Sequence, residues 1–409
     1  MVVTLEYRMA IMDLRSPLAT AHGPIRQRTT WLVRAAEPGG RTSAAGYGEA
    51  APLPGFGGGD PGRVVEALET LSHTLDRTNW IGLGERSGDE HGRLADSADL
   101  GRLERAWEAA LPDDGAARAG VSFALADLAA RRAGLPLAAW LATQAGDTAA
   151  DMHASGGRAL ASAPAQTVPV NGLIGASLPE EAGSEARRLV ASGYSTLKVK
   201  VGGDPDADVA RVRAVRAAAG AGVGLRLDAN EGWTEDMALR ALERLAVFDI
   251  EYVEQPVARG EIEAMARLRR RSVVAIAADE ALLERGGPEA LAAAEAADVW
   301  VLKPALLGGP FRTLELARRG AALGVRSVVT TAMDGGVGRQ CALHTAAVIA
   351  GYGWDGGLAH GLGTGGLLQN DVVATPEPVG GRMQVAAVPG LGCTDPVGPW
   401  IVLGAHGAS

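Results

Sequence analysis

The stretch "TLKVKVGG", residues 196–203, places two lysines one residue apart in a segment that is otherwise typical of a buried β-strand. Side chains alternate between the two faces of a strand, so Lys198 and Lys200 are expected on one face and the valines on the other. Lysine is almost never fully buried without a partner of opposite charge. The stretch therefore predicts a buried strand whose polar face meets acidic groups.

Seven further apolar segments accompany this strand, with alanine-rich helical stretches between them. Successive segments start about 20 to 30 residues apart, which is the length of one β/α unit. The eight segments are residues 168–174, 196–201, 224–229, 251–255, 273–279, 299–304, 327–331 and 357–362. This pattern predicts an α/β fold with a parallel β/α barrel, and an open doubly wound sheet is the alternative.

The composition of the 409-residue chain limits its partners. The net charge is -9, from 39 basic and 48 acidic residues, which argues against general binding to nucleic acid or to an anionic membrane. The first residues carry charges where a signal peptide needs an apolar run, and no apolar stretch is long enough to span a bilayer. The two cysteines, Cys341 and Cys393, have no metal or redox spacing. We therefore expect a cytoplasmic protein that acts on a small molecule.

Ionisable residues stand at the predicted C-terminal ends of five consecutive strands, where β/α barrels gather their reactive groups. Three of these ends carry carboxylates, which would repel one another without a cation among them. Hard oxygen ligands with open positions fit Mg²⁺, and the lack of His or Cys at these ends argues against zinc. Because a neighbouring ammonium disfavours protonation, Lys198 is expected to lower the pKa of Lys200 and make it a usable base. In chain order the residues are Lys198, Lys200, Asp228, Glu254, Asp279, Glu280 and Lys303.

Five motifs together resemble the enolase superfamily, in its muconate-lactonizing-enzyme-like branch. They are "LKVKVGG" (197–203), "LRLDANEGWT" (225–234), "EYVEQPV" (251–257), "AADEAL" (277–282) and "VLKPALLGG" (301–309). The resemblance covers nearly the whole chain. It implies a (β/α)7β-type TIM barrel with an N-terminal α+β capping domain that the C-terminal tail completes. The expected division is a capping domain at 1–150, a linker at 151–166, a catalytic barrel at 167–372 and a returning segment at 373–409.

The resemblance also implies roles for individual residues. Mg²⁺, for which Mn²⁺ can substitute, would stabilise an enediolate formed when a base removes the proton α to a substrate carboxylate. Lys200 would be that base, Lys198 its neighbour, and Lys303 would stabilise the anion from the opposite face. The implied metal ligands are Asp228, Glu254 and Asp279, and the candidate substrate-binding residues are Asn230, Gly361, Gly363 and Thr364.

Within the branch, the residues are most similar to the dehydratases that form an aromatic ring in menaquinone biosynthesis. The expected activity is therefore that of a carbon–oxygen lyase acting on a small carboxylate. An N-succinylamino acid racemase, or another cycloisomerase or epimerase of the branch, is the alternative. A dipeptide epimerase is disfavoured because "LAHGLGTGG" (358–366) lacks an Asp-x-Asp pair. A structural metal-binding barrel, a Schiff-base aldolase barrel and a homo-oligomeric state stay open.

Several other residues have weaker signals. Glu280 directly follows Asp279 and is expected to point away into a structural salt bridge, and His360 is expected to be structural. Arg26 and Arg28 are either solvated or contact an acidic substrate. Asp334 is a further polar candidate, and the Gly-x-Gly-x-x-Gly match at 361–366 lacks the βαβ context of a dinucleotide site. The loops at 18–23 and 51–60 are expected to close over the barrel mouth, and 82–102 is expected to be a surface insertion.

Overall fold

The computed structural model describes residues 3–18, 23–37, 45–77, 97–153 and 163–403. Its strands are β1 (Thr4–Leu18), β2 (Ile25–Ala36), β3 (Ala45–Ala50), β4 (Thr167–Pro169), β5 (Gly172–Ile174), β6 (Thr196–Lys200), β7 (Gly224–Asp228), β8 (Ile250–Glu254), β9 (Ile276–Ala278), β10 (Val299–Leu302), β11 (Arg326–Val329), β12 (Arg382–Gln384) and β13 (Ile401–Val402). Its helices are α1 (Val64–Arg77), α2 (Ser97–Ala110), α3 (Gly115–Arg132), α4 (Leu137–His153), α5 (Pro179–Ala191), α6 (Pro205–Ala219), α7 (Glu235–Leu245), α8 (Ile262–Arg271), α9 (Gly287–Ala293), α10 (Pro304–Leu307), α11 (Pro310–Ala322) and α12 (Gly336–Gly351).

An antiparallel sheet with the order β13-β1-β2-β3 joins the N-terminal strands to the end of the chain. Strand β13 pairs with β1, where Val402 lies opposite Glu6. Helix α3 packs closely on β3, because glycine at position 46 leaves room for its backbone. A Cβ atom on Gly46 would lie 2.2 Å from the carbonyl oxygen of Ala124. The first three strands therefore form an antiparallel meander, and the C-terminal segment supplies the fourth strand of this sheet.

A seven-stranded sheet, in the order β5-β6-β7-β8-β9-β10-β11, forms the second unit. Every neighbouring pair in this sheet is parallel. The strands are short and largely buried, as expected for a parallel sheet covered by helices. All their C-terminal ends therefore meet at one edge, where the predicted ionisable residues lie.

The predicted eighth strand, 357–362, is reduced to isolated bridges, so the sheet is curled but is not a closed eight-stranded barrel. His360 bridges to Val170, just before β5, and Gly361 bridges to Thr330, just after β11, so this segment lies between the two outer strands of the sheet. The first predicted strand, 168–174, is also split, because β4 turns away to pair antiparallel with β12 while β5 joins the parallel sheet. Pro169, at the end of β4, has no backbone N–H to continue a ladder.

Other expected segments differ in detail. The first residues of the predicted linker are helical, because α4 continues to His153. Residues 154–162 of the predicted linker, 82–96 of the predicted insertion and 19–22 of the predicted lid lie outside the described residues. The rest of the insertion begins α2. Among the described helices, none is both long and apolar enough to cross a membrane. The domain boundaries stay predictions.

Candidate active site

The parallel register brings the predicted site residues together at one edge of the sheet. Lys200 lies opposite Asp228 on the neighbouring strand, and Asp228 lies opposite Glu254 on the next. Asp279 and Lys303 follow directly after β9 and β10. The acids thus occupy three central strands, while the lysines stand on either side of them. This alignment follows from the parallel register, in which the C-terminal ends of neighbouring strands lie side by side.

Two of the predicted catalytic lysines share a carboxylate. Lys198 Nζ lies 2.9 Å from Asp228 Oδ2, and Lys200 Nζ lies 3.0 Å from the same oxygen. Lys198 also donates to both oxygens of Glu254, at 2.8 and 2.9 Å. Its side chain is 15% exposed, whereas that of Lys200 is 41% exposed. Lys198 is therefore held among acids, and Lys200 is the lysine that reaches the open mouth.

The third lysine is also paired. Lys303 Nζ lies 2.5 Å from Asp279 Oδ2, and both side chains are buried. The other oxygen of that carboxylate, Asp279 Oδ1, is buried and has no hydrogen-bond partner. The sequence-based prediction of a metal assumed that no internal cation lies close enough to the carboxylates to replace it, whereas a lysine contacts each of the three acids. Lysines on β6 and just after β10 reach different acids of the row between them, which strand spacing does not reveal.

Asn230 and Glu280 join the same cluster. Asn230 Oδ1 accepts a hydrogen bond from Lys200 Nζ, and Asn230 Nδ2 donates to Glu280 Oε1 at 3.3 Å. Glu280 is fully buried, and its Oε2 has no partner. The expectation that Glu280 points away into a salt bridge is wrong. Strand β9 ends at Ala278, so the alternation of faces on which the expectation depended does not extend to position 280.

Charge interactions raise the pKa of Lys198 on β6 and lower the pKa of Asp228 on β7. Burial opposes the charge of Lys198, but Asp228 and Glu254 outweigh burial and raise the pKa of Lys198 well above its usual value. Burial also opposes the charge of Asp228, yet Lys198 and Lys200 hold the pKa of that carboxyl below its usual range. The pair is therefore ionised, and the lowering of the Lys200 pKa by Lys198 stays a prediction.

The remaining acids are less readily ionised. Burial, together with the charge of Asp228, raises the pKa of Glu254 to about 8. Burial likewise raises the pKa values of Asp279 and Glu280, each of which also has an acidic neighbour. Four carboxyl groups thus face three ammonium groups in a buried cluster. An additional positive charge would favour the ionised form of these acids.

The residues fit a hard divalent cation by their chemistry. Asp228, Glu254 and Asp279 supply carboxylate oxygens, and Asp279 Oδ1 and Glu280 Oε2 are buried without a partner. Oxygen-only donors of this kind suit Mg²⁺. In the described part of the chain, no three His, Cys, Asp or Glu side chains already form a metal-binding group. Lysine ammonium groups lie against the other oxygens of these acids, so the lysines and a cation would share them.

The predicted substrate-binding loop is only partly available. The N–H of Gly361 donates to the carbonyl oxygen of Val329 at the end of β11, at 2.8 Å, so this N–H is not free to bind a carboxylate. Gly363 is exposed. The hydroxyl of Thr364 lies 2.7 Å from that of Thr331. The substrate-binding roles of Gly361, Gly363 and Thr364 stay predictions, and the backbone N–H of Gly361 already has a partner.

The basic residues of the N-terminal loop behave differently from each other. Arg26 is exposed. Arg28 is buried, and its guanidinium donates to the carbonyl oxygens of Pro52 at 2.8 Å, Ala51 at 3.1 Å and Ala332 at 3.3 Å. Arg28 therefore joins the N-terminal sheet to the loop after β11. It is neither solvated nor directed at a substrate, because its donors are occupied by backbone.

The two weaker candidates near the last strands are both buried. His360 accepts a hydrogen bond from the N–H of Val329 at 2.9 Å, and its Nε2 lies 3.4 Å from Asp355 Oδ2. This arrangement agrees with a structural histidine. Asp334 accepts from the N–H of Ala332 at 3.2 Å, and burial raises its pKa to about 7. Neither residue contacts the lysine–carboxylate cluster.

Sequence reasoning missed Gln255, which directly follows Glu254. Its amide oxygen accepts hydrogen bonds from the N–H groups of Asp279 at 3.1 Å and Ala281 at 3.2 Å. Gln255 is fully buried and has a positive φ of 38°. It therefore fixes the turn that carries Asp279. The motif "EQP" contained this signal, because a buried amide needs backbone partners.

The lysine content of the chain concentrates at this site. Lys198, Lys200 and Lys303 are the three lysines of the sequence, and the remainder of its 39 basic Lys and Arg residues are arginines. Arginine cannot be deprotonated in a protein, whereas lysine can. The three side-chain amines of the chain that can lose a proton therefore all lie in this cluster.

Known proteins that are similar in sequence match about half of the chain. The chain is 42% identical over 226 residues to the o-succinylbenzoate synthase of Thermobifida fusca, a match that covers 54% of this chain and 68% of that protein. It is 40% identical over 222 residues to the o-succinylbenzoate synthase of Mycobacterium ulcerans, covering 53% of this chain and 63% of that protein.

Solved structures share the fold across nearly the full length. A dipeptide epimerase from Enterococcus faecalis, complexed with Mg and L-Leu-L-Tyr, has a TM-score of 0.79 at 23% identity, covering 96% of this chain and 99% of its own. An N-succinyl Arg/Lys racemase from Bacillus cereus has a TM-score of 0.74 at 23% identity, covering 96% and 95%. The family model described as "Enolase C-terminal domain-like" matches residues 181–394. The chain therefore belongs to the enolase C-terminal domain-like family.

Proposed function

We propose that this protein is a Mg²⁺-dependent carbon–oxygen lyase with o-succinylbenzoate synthase activity. The observation that carries the proposal is the row of Lys200, Asp228, Glu254, Asp279 and Lys303 along one sheet edge, with lysines at both ends of three acids. The names of its relatives support the same activity. Acids grouped around a cation and flanked by amines suit removal of a proton next to a carboxylate.

The reaction would begin at Lys200. Its side chain is the most exposed of the three lysines, so its amine can reach the α-carbon of a bound carboxylate substrate. Lys200 would take the α-proton and, once protonated, would return it to the departing β-hydroxyl as water forms. When bound by Asp228, Glu254 and Asp279, Mg²⁺ would supply positive charge that stabilises negative charge on the substrate carboxylate.

The remaining lysines would support this step. Lys198 is fixed between Asp228 and Glu254, and it would hold these carboxylates in place while its charge acts on Lys200. Lys303 approaches from the other side of the acids, where its ammonium would stabilise the anion formed after proton removal. Asn230, in contact with Lys200, would orient the base.

Racemisation of N-succinylamino acids is the second candidate. Lys200 and Lys303 lie on opposite sides of the acids, which is the arrangement needed to remove a proton from one face and return one to the other. A racemase of this kind is among the proteins that share the fold. The same residues would then act without loss of a hydroxyl.

Finer features belong to the proposal as well. Mn²⁺ is expected to replace Mg²⁺, since both are bound by oxygen ligands. The product would enter menaquinone biosynthesis in the cytoplasm, and the two free cysteines agree with a reducing compartment. Residues 357–362 would take the place of the eighth strand of a (β/α)7β barrel, since His360 and Gly361 bridge to the two outer strands of the sheet.

The test is a direct assay of the purified protein. It would be incubated with the cyclohexadiene precursor of o-succinylbenzoate and, separately, with N-succinyl amino acids of one chirality. Each reaction would be run with Mg²⁺ and with excess chelator. Mg²⁺-dependent formation of the aromatic product supports the lyase, racemisation alone supports the second candidate, and turnover that chelation leaves unchanged contradicts both.

A further inference from the structure

Glu280 is the one acid of the cluster that the proposed reaction does not use. It is fully buried, and its Oε1 accepts a hydrogen bond from Asn230 Nδ2 at 3.3 Å. Its second oxygen, Oε2, is buried without a partner. Burying a carboxylate costs free energy unless hydrogen bonds or an opposite charge compensate for the lost water. A function within the site would account for this placement.

Asn230 connects Glu280 to the proposed base. Its backbone N–H donates to Asp228 Oδ1 at 3.1 Å, and its φ of 42° lies in the left-handed region. Its amide oxygen accepts from Lys200, while its amide nitrogen donates to Glu280. The three side chains thus form a chain of hydrogen bonds, from Lys200 through Asn230 to Glu280.

The direction of this chain matters because an amide group has two different ends. The oxygen of Asn230 only accepts hydrogen bonds, and the NH₂ group only donates them. A rotated amide would present its NH₂ group to Lys200 and would occupy the lone pair that must accept a substrate proton. Glu280 Oε1 accepts a hydrogen bond from this NH₂ group, and that contact holds the NH₂ group away from Lys200.

We propose that Glu280 is a positioning residue that keeps the Asn230 amide oxygen directed at Lys200. The proposal rests on the proposed function, because it takes Lys200 as the base. It depends on the reach and acceptor oxygen of the side chain at position 280, and it differs from a role of Glu280 as a direct ligand of the cation. A positioning role predicts that a variant with the same reach but no charge stays active, whereas a ligand role predicts that the charge is required.

The variants separate reach from charge. Glu280→Gln keeps the acceptor oxygen at the same distance but removes the charge, Glu280→Asp keeps the charge but shortens the side chain, and Glu280→Leu removes both. Glu289→Gln makes the same chemical change on the exposed surface and is the matched control. Each variant would be checked for its folded state by circular dichroism and thermal unfolding.

Turnover and Mg²⁺ affinity would be measured for every variant. We expect Glu280→Asp and Glu280→Leu to lose about 10- to 100-fold in kcat, because misplaced catalytic groups cost rates of this order, with KM nearly unchanged. Glu280→Gln should stay within about threefold of wild type, since its hydrogen bond is kept. Mg²⁺ affinity, measured by calorimetry on the protein alone, should be similar in all variants. Equal kcat in all variants overturns the proposal, and so does a Glu280→Gln variant that loses both kcat and Mg²⁺ affinity.

A second readout does not depend on turnover. Because the chain has three lysines, all at this site, an amine-selective reagent followed by fragment mass spectrometry reports on each of them. Loss of the Asn230 contact should raise labelling of Lys200 about two- to tenfold in Glu280→Asp and Glu280→Leu, but not in Glu280→Gln. Lys198 and Lys303 should be unchanged. If wild type is inactive on every substrate, the proposed function fails while labelling still decides the positioning role. Equal labelling of Lys200 in all variants overturns that role.

Discussion

Lys198 and Lys200 reach the same carboxylate oxygen, with their Nζ atoms 2.9 and 3.0 Å from Asp228 Oδ2. The strand alternation that places both on one face therefore also makes them share a counter-ion. Lys198 has two further contacts with Glu254, and Lys200 has one with Asn230. This difference in anchoring gives the two lysines different expected roles.

Substitution of the two lysines should separate these roles. Lys200→Ala is expected to lose at least about 10²- to 10⁴-fold in kcat, because the general base is removed. Lys200→Arg should be equally inactive, since arginine stays protonated. Lys198→Met should retain some activity. Removal of the neighbouring positive charge should raise the pKa of Lys200, so the rate should begin to rise at a higher pH than in wild type. A pH–rate profile compares the three. A Lys198→Met profile that overlays wild type contradicts the tuning role.

The sequence predicted the principal members of the site because two simple periodicities cooperate there. Alternation along β6 placed Lys198 and Lys200 together, and the common direction of β/α units collected Asp228 and Glu254 at the same edge. The family resemblance then gave these residues roles. The pairing of each acid with a lysine was not predictable, because it depends on how far long side chains reach across the curled sheet.

Other features had no local signal. Glu280 lies just past β9, where the backbone of Asp279 turns to φ -126° and ψ -83°, and no periodicity describes such a residue. The clamp of Arg28 on Ala332 joins residues 304 positions apart. The eighth strand was overestimated because "GLAHGL" has the composition of a strand, whereas only His360 and Gly361 make bridges.

Removal of individual carboxylates should weaken metal binding. Asp228→Asn, Glu254→Gln and Asp279→Asn each remove one charge from the proposed ligand set, and each should lower Mg²⁺ affinity by at least about tenfold. Isothermal titration calorimetry on the purified protein measures this. Asp249→Asn, an exposed change that tolerates the φ of 50° at that position, is the control. Mg²⁺ binding that is equal in all four variants would show that these carboxylates do not hold the cation.

The loop at 51–60 should affect turnover through its fit against the sheet edge. Phe56 is buried, and a Cβ atom on Gly58, which has a φ of +86°, would lie 2.6 Å from Leu306 Cδ2. Gly58→Ala is therefore expected to open the loop, to raise KM and to lower kcat. Gly62→Ala has no such conflict and is the control. Steady-state kinetics that are identical for both variants, and for a deletion of 54–59, would contradict a lid.

Glu104 should make the stability of the protein depend on pH. This residue of α2 is buried at the start of α11, where it accepts from the N–H of Arg312 at 2.6 Å and of Phe311 at 3.4 Å, and from the hydroxyl of Ser122. Burial raises its pKa from 4.5 to about 7, although these hydrogen bonds favour the charged form. The folded protein therefore holds this proton more tightly than the unfolded chain does.

The sign of the effect follows from that difference. Below pH 4.5 Glu104 is protonated in both states, and its contribution to the free energy of unfolding is fully present. As the pH rises toward 7, the unfolded chain loses the proton first, so unfolding becomes easier by about 3 kcal/mol in total. Urea unfolding of wild type and Glu104→Gln at pH 5 and pH 8 tests this. Glutamine does not titrate, so the variant should show a smaller fall in stability between the two pH values, whatever its absolute stability. Glu108→Gln, a change on the same helix, should keep the wild-type difference, and equal differences in wild type and Glu104→Gln would assign the pH dependence to other groups.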